Sequence, residues 1–229
     1  MTRGVVGSAT GPDLSHVDTW LFDLDNTLYP LECGFAPEVD ARMTDYVATL
    51  TGLPRDDAYA LQLRYLDEHG LTLRGLMLHH GVDPVAFNAQ FHDLSLERIA
   101  ADPALAAALA RLPGRRLIFT NADDVHAERV VARLGLAGLF DGVFHIACAD
   151  FVPKPQAASF ARLIEAHAIR PAATAFFDDR AMNLAPAAAL GMTTVLVGAD
   201  ARANTDAFVR HRARQLAQFL ADALVKEPA

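Results

Sequence analysis

Residues 19–30 of the sequence are TWLFDLDNTLYP. Its apolar run, typical of a buried β-strand, ends at Asp23, and a second aspartate follows at Asp25. Residues i and i+2 of a strand point to the same side, so both carboxylates can face one ligand. A lone Asp-x-Asp is most often a turn or a cap. Whether the two like charges at the end of this strand have a function therefore depends on which residues the rest of the chain places beside them.

Downstream of Asp102, strand-like and helix-like patterns alternate. The predicted strands are RRLIFT at 115–120, GVFHIA at 142–147, ATAFFDD at 173–179 and MTTVLVG at 192–198. The predicted helices are DDVHAERVVARLGL, closed by Gly135; PQAASFARLIEAHAI, with Pro155 in its first turn; and one ending at Leu190 that contains Pro186. This alternation predicts an α/β fold with right-handed βαβ units and a doubly wound, mainly parallel sheet.

Residues 34–101 break this rhythm. Stretches such as PEVDARMTDYVATLTG and RDDAYALQLRYLDEHG have helical spacing and no clear strand pattern. They predict an all-helical insertion after the first strand, with residues 1–33 and 102–229 forming the α/β core. The tail, residues 205–225, predicts one more helix that packs on the core through Phe208, Val209, Leu216, Phe219 and Leu220.

The composition narrows the class of protein. Of the 229 residues 52% are hydrophobic, and the formal net charge is −8, which argues against a nucleic-acid surface of clustered Lys and Arg. No apolar run approaches the ~18 residues of a membrane span. Residues 1–16 lack the apolar segment of a signal peptide and predict a disordered lead-in. Cys33 and Cys148 make no disulfide framework, which predicts a reducing, cytoplasmic location.

Polar side chains follow each predicted strand of the core. Ligands of open α/β sheets bind outside the carboxyl ends of the strands, so these side chains are expected to gather at one edge. Each alone has an ordinary explanation, such as a strand end, a solvated lysine or a helix cap. Their appearance in order, each after its own strand, favours a shared site. The set is Asp23, Asp25, Thr120, Asn121, Lys154, Asp178 and Asp179.

These residue types point to phosphoryl chemistry. Four packed carboxylates repel one another and shift each other's pKa, and bound Mg²⁺ relieves this repulsion. One strand-end aspartate can attack phosphorus as a nucleophile while the other moves protons. Thr120 and Asn121 offer a hydroxyl and an amide to phosphate oxygens, and Lys154 balances their negative charge.

The same residues resemble the four motifs of the haloacid dehalogenase (HAD) superfamily. The matching stretches are WLFDLDNTL, IFTN, VPKP and FFDD. The resemblance implies a HAD-like Rossmann-type core with a C1-type cap at residues 34–101. It also implies catalytic roles for three residues, with Asp23 as nucleophile, Asp25 as general acid/base and Lys154 as a phosphate ligand beside Thr120. The implied Mg²⁺ ligands are Asp23, the Asp25 main-chain carbonyl and Asp179. Asp178 would lie partly in the outer layer that contacts these ligands.

A finer resemblance concerns the substrate. LTLRGLMLHHGVDP, IFTNADDVHAERVVARLGL, FVPKP and FFDDRAMN look like the pyrimidine 5′-nucleotidase branch, whose members dephosphorylate UMP- and CMP-like nucleotides. The alternatives are a phosphatase for a sugar phosphate, phosphoglycolate or a vitamin phosphate, a non-catalytic binding protein, and a haloacid dehalogenase. The last is disfavoured because the superfamily's dehalogenases lack the second aspartate, which Asp25 supplies here.

The cap has to supply substrate choice, because the core motifs read only phosphate. The candidate substrate contacts in the cap are Arg74, His79, His80, His92 and Asp93. His126 and Glu128 are predicted to lie on the helix after Thr120, at the surface or behind the site. The expected partner is therefore a small phosphorylated metabolite, a nucleoside monophosphate in the leading hypothesis, with neither nucleic acid nor membrane bound.

Overall fold

The computed structural model describes residues 11–225. The disordered lead-in predicted for residues 1–16 lies partly outside this range. For residues 11–16 the prediction is wrong, because Leu14 is completely buried and Asp13 forms a β-bridge with Leu224. The first described residues therefore pack against the last described ones.

Six parallel strands form one sheet at the centre of the described chain. They are β1 Thr19–Phe22, β2 Arg115–Phe119, β3 Gly142–Phe144, β4 Thr174–Asp178, β5 Thr193–Val197 and β6 His211–Ala213. The strand order is β3-β2-β1-β4-β5-β6, so β1 and β4 lie in the middle. Phe22 pairs with Ile118 on one side and Phe177 on the other, which aligns the carboxyl ends of three strands. The predicted doubly wound α/β fold is confirmed.

Nine helices are described around and above this sheet. They are α1 Ala36–Thr51, α2 Arg55–His69, α3 Thr72–His80, α4 Pro84–Ala89, α5 Pro103–Ala110, α6 Asp124–Leu134, α7 Ala157–His167, α8 Ala181–Ala189 and α9 Leu216–Asp222. Helix α6 shows how the sequence sets their ends. The Asp123 carboxylate accepts a hydrogen bond from the His126 backbone, and Gly135 ends the helix with a positive φ of 74°.

Three boundaries differ from the sequence predictions. Helix α7 starts at Ala157, so Pro155 precedes it and is not in its first turn. Strand β3 stops at Phe144, and a 3₁₀ turn follows over Ile146–Ala149. The prediction of a single tail helix is wrong, because the tail first forms β6 and only then α9. Strand β6 pairs with β5 and covers the backbone groups of that sheet edge. The tail's apolar side chains still pack on the core as predicted.

Residues 34–101 contain α1 to α4 and no described strand, in agreement with the prediction of a helical block. Val47, Leu61 and Leu76 belong to an apolar cluster of this block, separate from the two clusters on the faces of the sheet. Leu94 and Ile99 instead pack in a sheet cluster. The division into cap and core at 34 and 101 stays a prediction. None of the helices described is both long and apolar enough to cross a membrane.

Gly75 tests the packing of the cap. A Cβ at this position would lie 2.3 Å from Cγ of Tyr65, so Gly75→Ala forces α2 and α3 apart. Overpacking costs about 1–3 kcal/mol, more than the ~1 kcal/mol gained in helix propensity. Urea unfolding should therefore show a less stable protein. Leu78→Ala, an exposed position on the same helix, should change stability by less than about 0.5 kcal/mol; an equal loss in both variants would contradict the packing argument.

Candidate active site

The end of β1 places Asp23 inside the protein. Its backbone N–H donates to the Phe177 carbonyl at 2.8 Å, which extends the β1–β4 ladder by one residue. The chain then turns, with Asn26 in the left-handed region at φ 60°, and the Leu28 N–H bonds back to Leu24. Asp23 and Asp25 thus lie at the carboxyl edge of the sheet, where the strand register brings in the ends of β2 and β4.

Lys154 is the centre of the polar cluster at this edge. Its ammonium donates to Asp23 Oδ1 at 2.6 Å, to Asp178 Oδ2 at 2.8 Å and to the Phe119 carbonyl at 2.8 Å. These three bonds use all the protons of the group. The side chain is 1% exposed, and its nitrogen lies 5.1 Å and 5.4 Å from the ring centres of Phe119 and Phe176. A fixed positive charge is thereby placed against the candidate nucleophile.

The neighbouring charges decide the protonation state of this lysine. Burial lowers the pKa of Lys154, but the Asp178 and Asp23 carboxylates outweigh it, and the pKa lies above its ordinary value. Asp23 is affected in the opposite sense. Burial raises its pKa well above the ordinary value, although Lys154 partly counteracts this effect. The lysine stays charged, while the ionised aspartate needs a further positive charge beside it.

The acidic pair after β4 divides into two environments. Asp178 is completely buried, and besides Lys154 it accepts bonds from the Asn183 amide at 2.9 Å and the Arg180 backbone at 2.9 Å. Asp179 is half-buried. Burial first, and then repulsion from Asp178, raise the pKa of Asp179 to about 7. Since the oxygens of Asp178 are already bonded, Asp179 is better placed to bind an ion.

The three carboxylates form a site suited to a divalent cation. Asp23, Asp178 and Asp179 each offer an oxygen within 4.8 Å of the others. Oxygen-only donors and a net negative charge suit a hard ion such as Mg²⁺. A cation there would also relieve the repulsion that raises the pKa values of Asp23 and Asp179. The donor set therefore fits the predicted cofactor, whose predicted carboxylate ligands include Asp23 and Asp179.

Thr120 and Asn121 lie at the end of β2, facing the same edge. The Thr120 hydroxyl accepts a bond from the Ala122 backbone at 3.0 Å, which fixes its position. The Asn121 amide bonds the backbone of Lys154 twice, through N–H at 2.9 Å and C=O at 3.2 Å. Asn121 thus holds the lysine in place. Its predicted role as a direct phosphate ligand stays a prediction.

Asp25 has its own set of hydrogen bonds. Its Oδ1 accepts from the Tyr29 hydroxyl at 2.6 Å and is 2.7 Å from His126 Nε2. Burial raises the pKa of Asp25, but the His126 charge and the bonds from His126 and Tyr29 outweigh burial, so the pKa lies below its usual value. Burial lowers the pKa of His126, yet the Asp25 carboxylate and then Asp123 leave it above the ordinary value.

A pocket of about 270 Å³ opens beside Asp25, between the helical block and the sheet. Its lining is mostly apolar and includes the rings of Phe35, Phe87 and Phe91. The polar lining residues are Asp25, Asn26, Tyr29, Asp40, Asn88, His92, Asn121, Asp123 and His126. The pocket meets the carboxylate that was predicted to move protons.

The structure brings one of the three main cap candidates to this pocket. His92 is in the lining, and its Nε2 lies 2.7 Å from Asp123 Oδ2. Arg74 and His80 are outside the lining, and His80 contacts the Tyr65 hydroxyl at 3.0 Å instead. The prediction of substrate contacts is therefore not supported for Arg74 and His80. Helix α3, which carries both residues, packs against α2, and spacing alone did not show this.

Sequence reasoning missed several residues of this edge. Tyr29 was passed over, although it lies four residues after Asp25, a spacing at which side chains meet in a turn or helix. Asn183 was also missed, five residues after Asp178. His126 lies on the helix after Thr120 as predicted, and of the two predicted places, the surface and behind the site, the structure shows the second, with a bond to Asp25. The one sequence feature that could have indicated this contact is the position of His126 in the first turn of the helix that follows the end of β2.

Comparisons with known proteins agree with this geometry. A sequence model of the family described as haloacid dehalogenase-like hydrolase matches residues 17–191. The chain therefore belongs to the haloacid dehalogenase-like hydrolases, and it is a hydrolase. Phosphate metabolism protein 8 of Saccharomyces cerevisiae is 29% identical over 193 residues, which cover 77% of this chain and 60% of that protein. The chain thus spans less than two thirds of this curated relative.

Solved structures share the fold at low sequence identity. A HAD phosphatase from Thermococcus onnurineus is 17% identical with a TM-score of 0.60, over 87% of this chain and 94% of that one. An L-2-haloacid dehalogenase from Xanthobacter autotrophicus is 20% identical with a TM-score of 0.56, over 90% and 97%. Since both activities occur on this fold, the reaction has to be argued from the site.

Lys154→Met tests the buried charge cluster. The change leaves Asp23 and Asp178 without their shared cation, and removing one partner of a buried ion pair costs about 3–5 kcal/mol. Urea unfolding in metal-free buffer should show this loss, and adding Asp178→Asn should recover part of it. As a control, Arg55→Met breaks the exposed pair with Asp45 and should cost less than about 1 kcal/mol. Equal losses in the two single variants would refute the account.

Proposed function

We propose that this chain is a Mg²⁺-dependent phosphomonoester hydrolase that works through an aspartyl phosphate on Asp23 and prefers pyrimidine nucleoside 5′-monophosphates. One observation carries the proposal: the Lys154 ammonium lies 2.6 Å from a carboxylate at the edge of the sheet, and a second carboxylate, Asp25, lines the adjoining pocket. A nucleophile, a proton carrier and a fixed positive charge are the groups that phosphoryl transfer requires.

The reaction has two steps on this site. In the first, the negative charge of the bound phosphate favours a protonated Asp25. An Asp23 oxygen forms a bond to phosphorus while the bond to the leaving oxygen breaks, and Asp25 gives that oxygen its proton. In the second, Asp25 takes a proton from water as the water oxygen attacks phosphorus, which releases inorganic phosphate and regenerates Asp23. Asp25 returns to its starting state with each turnover.

Lys154 and Thr120 supply the electrostatic support. The lysine neutralises charge on Asp23 and on a phosphoryl group beside it, and its position is fixed by Asn121 before substrate arrives. The Thr120 hydroxyl, already oriented by the Ala122 backbone, can donate to a phosphoryl oxygen. Asp23, the Asp25 main-chain carbonyl and Asp179 would hold Mg²⁺, which would supply positive charge for the phosphoryl oxygens.

The pocket supports a leaving group with a flat, partly apolar ring. A nucleobase can lie against Phe35, Phe87 or Phe91, while Asn88 and His92 offer groups that hydrogen-bond its edge. A sugar phosphate or phosphoglycolate would need a more polar lining. The name of the yeast relative, phosphate metabolism protein 8, agrees with chemistry on phosphate compounds.

Two alternatives differ in what they use of the site. A vitamin phosphate with an aromatic ring suits the same lining and remains the second candidate. A haloacid dehalogenase has no need of a second carboxylate beside its nucleophile, whereas Asp25 is held here by two hydrogen bonds. The likeness to dehalogenase structures concerns the fold.

Asp23→Asn tests the nucleophile. Because the amide cannot attack phosphorus, phosphate release should fall by at least about 10³-fold, while cooperative thermal unfolding persists. Asp67→Asn, an exposed change on α2, should keep full activity. Full turnover by Asp23→Asn would remove the basis of the proposal.

A phosphate-release screen tests the substrate class. The panel holds UMP, CMP, AMP, an aromatic vitamin phosphate, a hexose phosphate and phosphoglycolate, each with Mg²⁺. The lining predicts the highest kcat/KM for UMP and CMP and the lowest for phosphoglycolate. A preference for phosphoglycolate or a hexose phosphate would overturn the nucleotidase assignment and keep the phosphatase.

Asp179→Asn tests the metal site without measuring activity. Ligands that bind only the folded state stabilise it, so Mg²⁺ should raise the melting temperature of the wild-type protein above its value in chelator. The variant should lose that increase, because the ion loses one of its carboxylates. Asp67→Asn is again the control. An unchanged Mg²⁺ response in Asp179→Asn would place the ion elsewhere.

A further inference from the structure

We propose that His126 is a positioning residue for Asp25 and that it links the orientation of this carboxylate to the docking of the helical cap. The inference rests on the proposed phosphatase function, since it assigns a role within the same site. His126 itself lies outside the four strand-end motifs. Three sets of contacts carry it, at Asp25, at the ring of His126 and at the start of α6.

The first set orients Asp25. The Tyr29 hydroxyl at 2.6 Å and His126 Nε2 at 2.7 Å both reach the same oxygen, Oδ1. Two donors on one oxygen hold the negative charge there, so the exchangeable proton belongs on Oδ2. Rotation of the carboxyl group would break both bonds. The pair of donors thus selects the oxygen that exchanges protons with the leaving group and with water.

The second set fixes the His126 ring. Its side chain is 17% exposed, and its ring stacks on Phe35 with 5.8 Å between centres and 12° between planes. Phe35 directly precedes α1, the first helix of the cap. One connection between sheet and cap therefore lies against the ring that holds Asp25.

The third set joins the other connection. Asp123 accepts from the His126 backbone through Oδ1 at 2.8 Å, and its Oδ2 lies 2.7 Å from His92 Nε2. His92 follows α4, the last helix of the cap. Both segments that join the cap to the sheet thus contact the first turn of α6, one through a ring and one through a carboxylate.

The consequence is a dependence of proton transfer on the cap. Displacement of the cap would pull Phe35 and His92 away from α6 and release the His126 ring. Asp25 would then lose one of the two bonds that orient it. Proton transfer is therefore best supported when the cap is docked and the pocket holds a substrate.

The dependence on the leaving group separates this role from simple packing. An alkyl oxygen, as in a nucleoside monophosphate, must be protonated as it leaves, whereas p-nitrophenolate leaves without a proton. A disoriented Asp25 should therefore harm the first substrate more than the second. General acid catalysis typically contributes 10²–10⁴-fold. Because kcat/KM covers the steps up to departure of the leaving group, it is the parameter to compare.

The experiment measures kcat/KM of His126→Ala on UMP and on p-nitrophenyl phosphate, both with Mg²⁺. We expect a loss of about 10²-fold on UMP and less than about tenfold on the aryl ester. His126→Gln, whose amide nitrogen can replace Nε2 as a donor, should recover most of the loss on UMP. His16→Asn, an exposed histidine that contacts Thr193 at the start of β5, away from the site, should leave both values unchanged.

Further variants keep the test decisive. If His126→Ala does not fold, Tyr29→Phe removes the other donor and should show the same selective loss. Asp123→Ser keeps a helix cap but loses the His92 contact, and it should show a smaller selective loss. Equal losses on both substrates, or none, would overturn the role of His126. An unaffected Asp123→Ser would overturn the cap link alone, and a wild-type protein that hydrolyses neither ester would instead refute the proposed function.

Discussion

The arrangement of the site depends on one buried ammonium group. Lys154 binds Asp23 and Asp178 together with the Phe119 carbonyl, and so joins the ends of β1, β2 and β4 through a single side chain. A charge with so little contact with water is tolerated only where partners compensate its desolvation. The same three bonds that stabilise the lysine also aim it at the candidate nucleophile. Stability and function therefore depend on the same contacts at this edge.

The negative charge that Lys154 leaves unneutralised explains the role of Asp179, the second member of the acidic pair. Burial raises the pKa values of Asp23 and Asp179, and repulsion from Asp178 raises them further, because one ammonium cannot neutralise three carboxylates. A divalent cation would complete the balance, and a phosphoryl group would then meet positive charge from two directions. Asp25 differs from the carboxylates of this cluster, because the charge of His126 and the hydrogen bonds from His126 and Tyr29 keep its pKa below the usual value. The two aspartates of the opening motif thus occupy opposite environments, although only one residue separates them.

The sequence predicted those features that depend on local pattern. The apolar run before Asp23, the alternating strands and helices, and the helical spacing in the cap all reflect periodicity, and they led to the parallel sheet and the helical block. Contacts between distant segments were not accessible in this way. His126 reaches Asp25, and His80 contacts Tyr65, only because of how α6 and α3 pack. The tail likewise forms a strand and a short helix and not one helix, because its first part pairs with the open edge of β5.

The most direct test of the account locates the cation. Crystals soaked in Mn²⁺, as an X-ray-visible substitute for Mg²⁺, would give an anomalous difference map of the sheet edge. If these carboxylates bind the cation, we expect one peak between the Asp23 and Asp179 carboxylates, with Lys154 still bonded to Asp23. A peak at other residues, or no peak in crystals of an active protein, would contradict the claim that these carboxylates form a metal site for phosphoryl transfer.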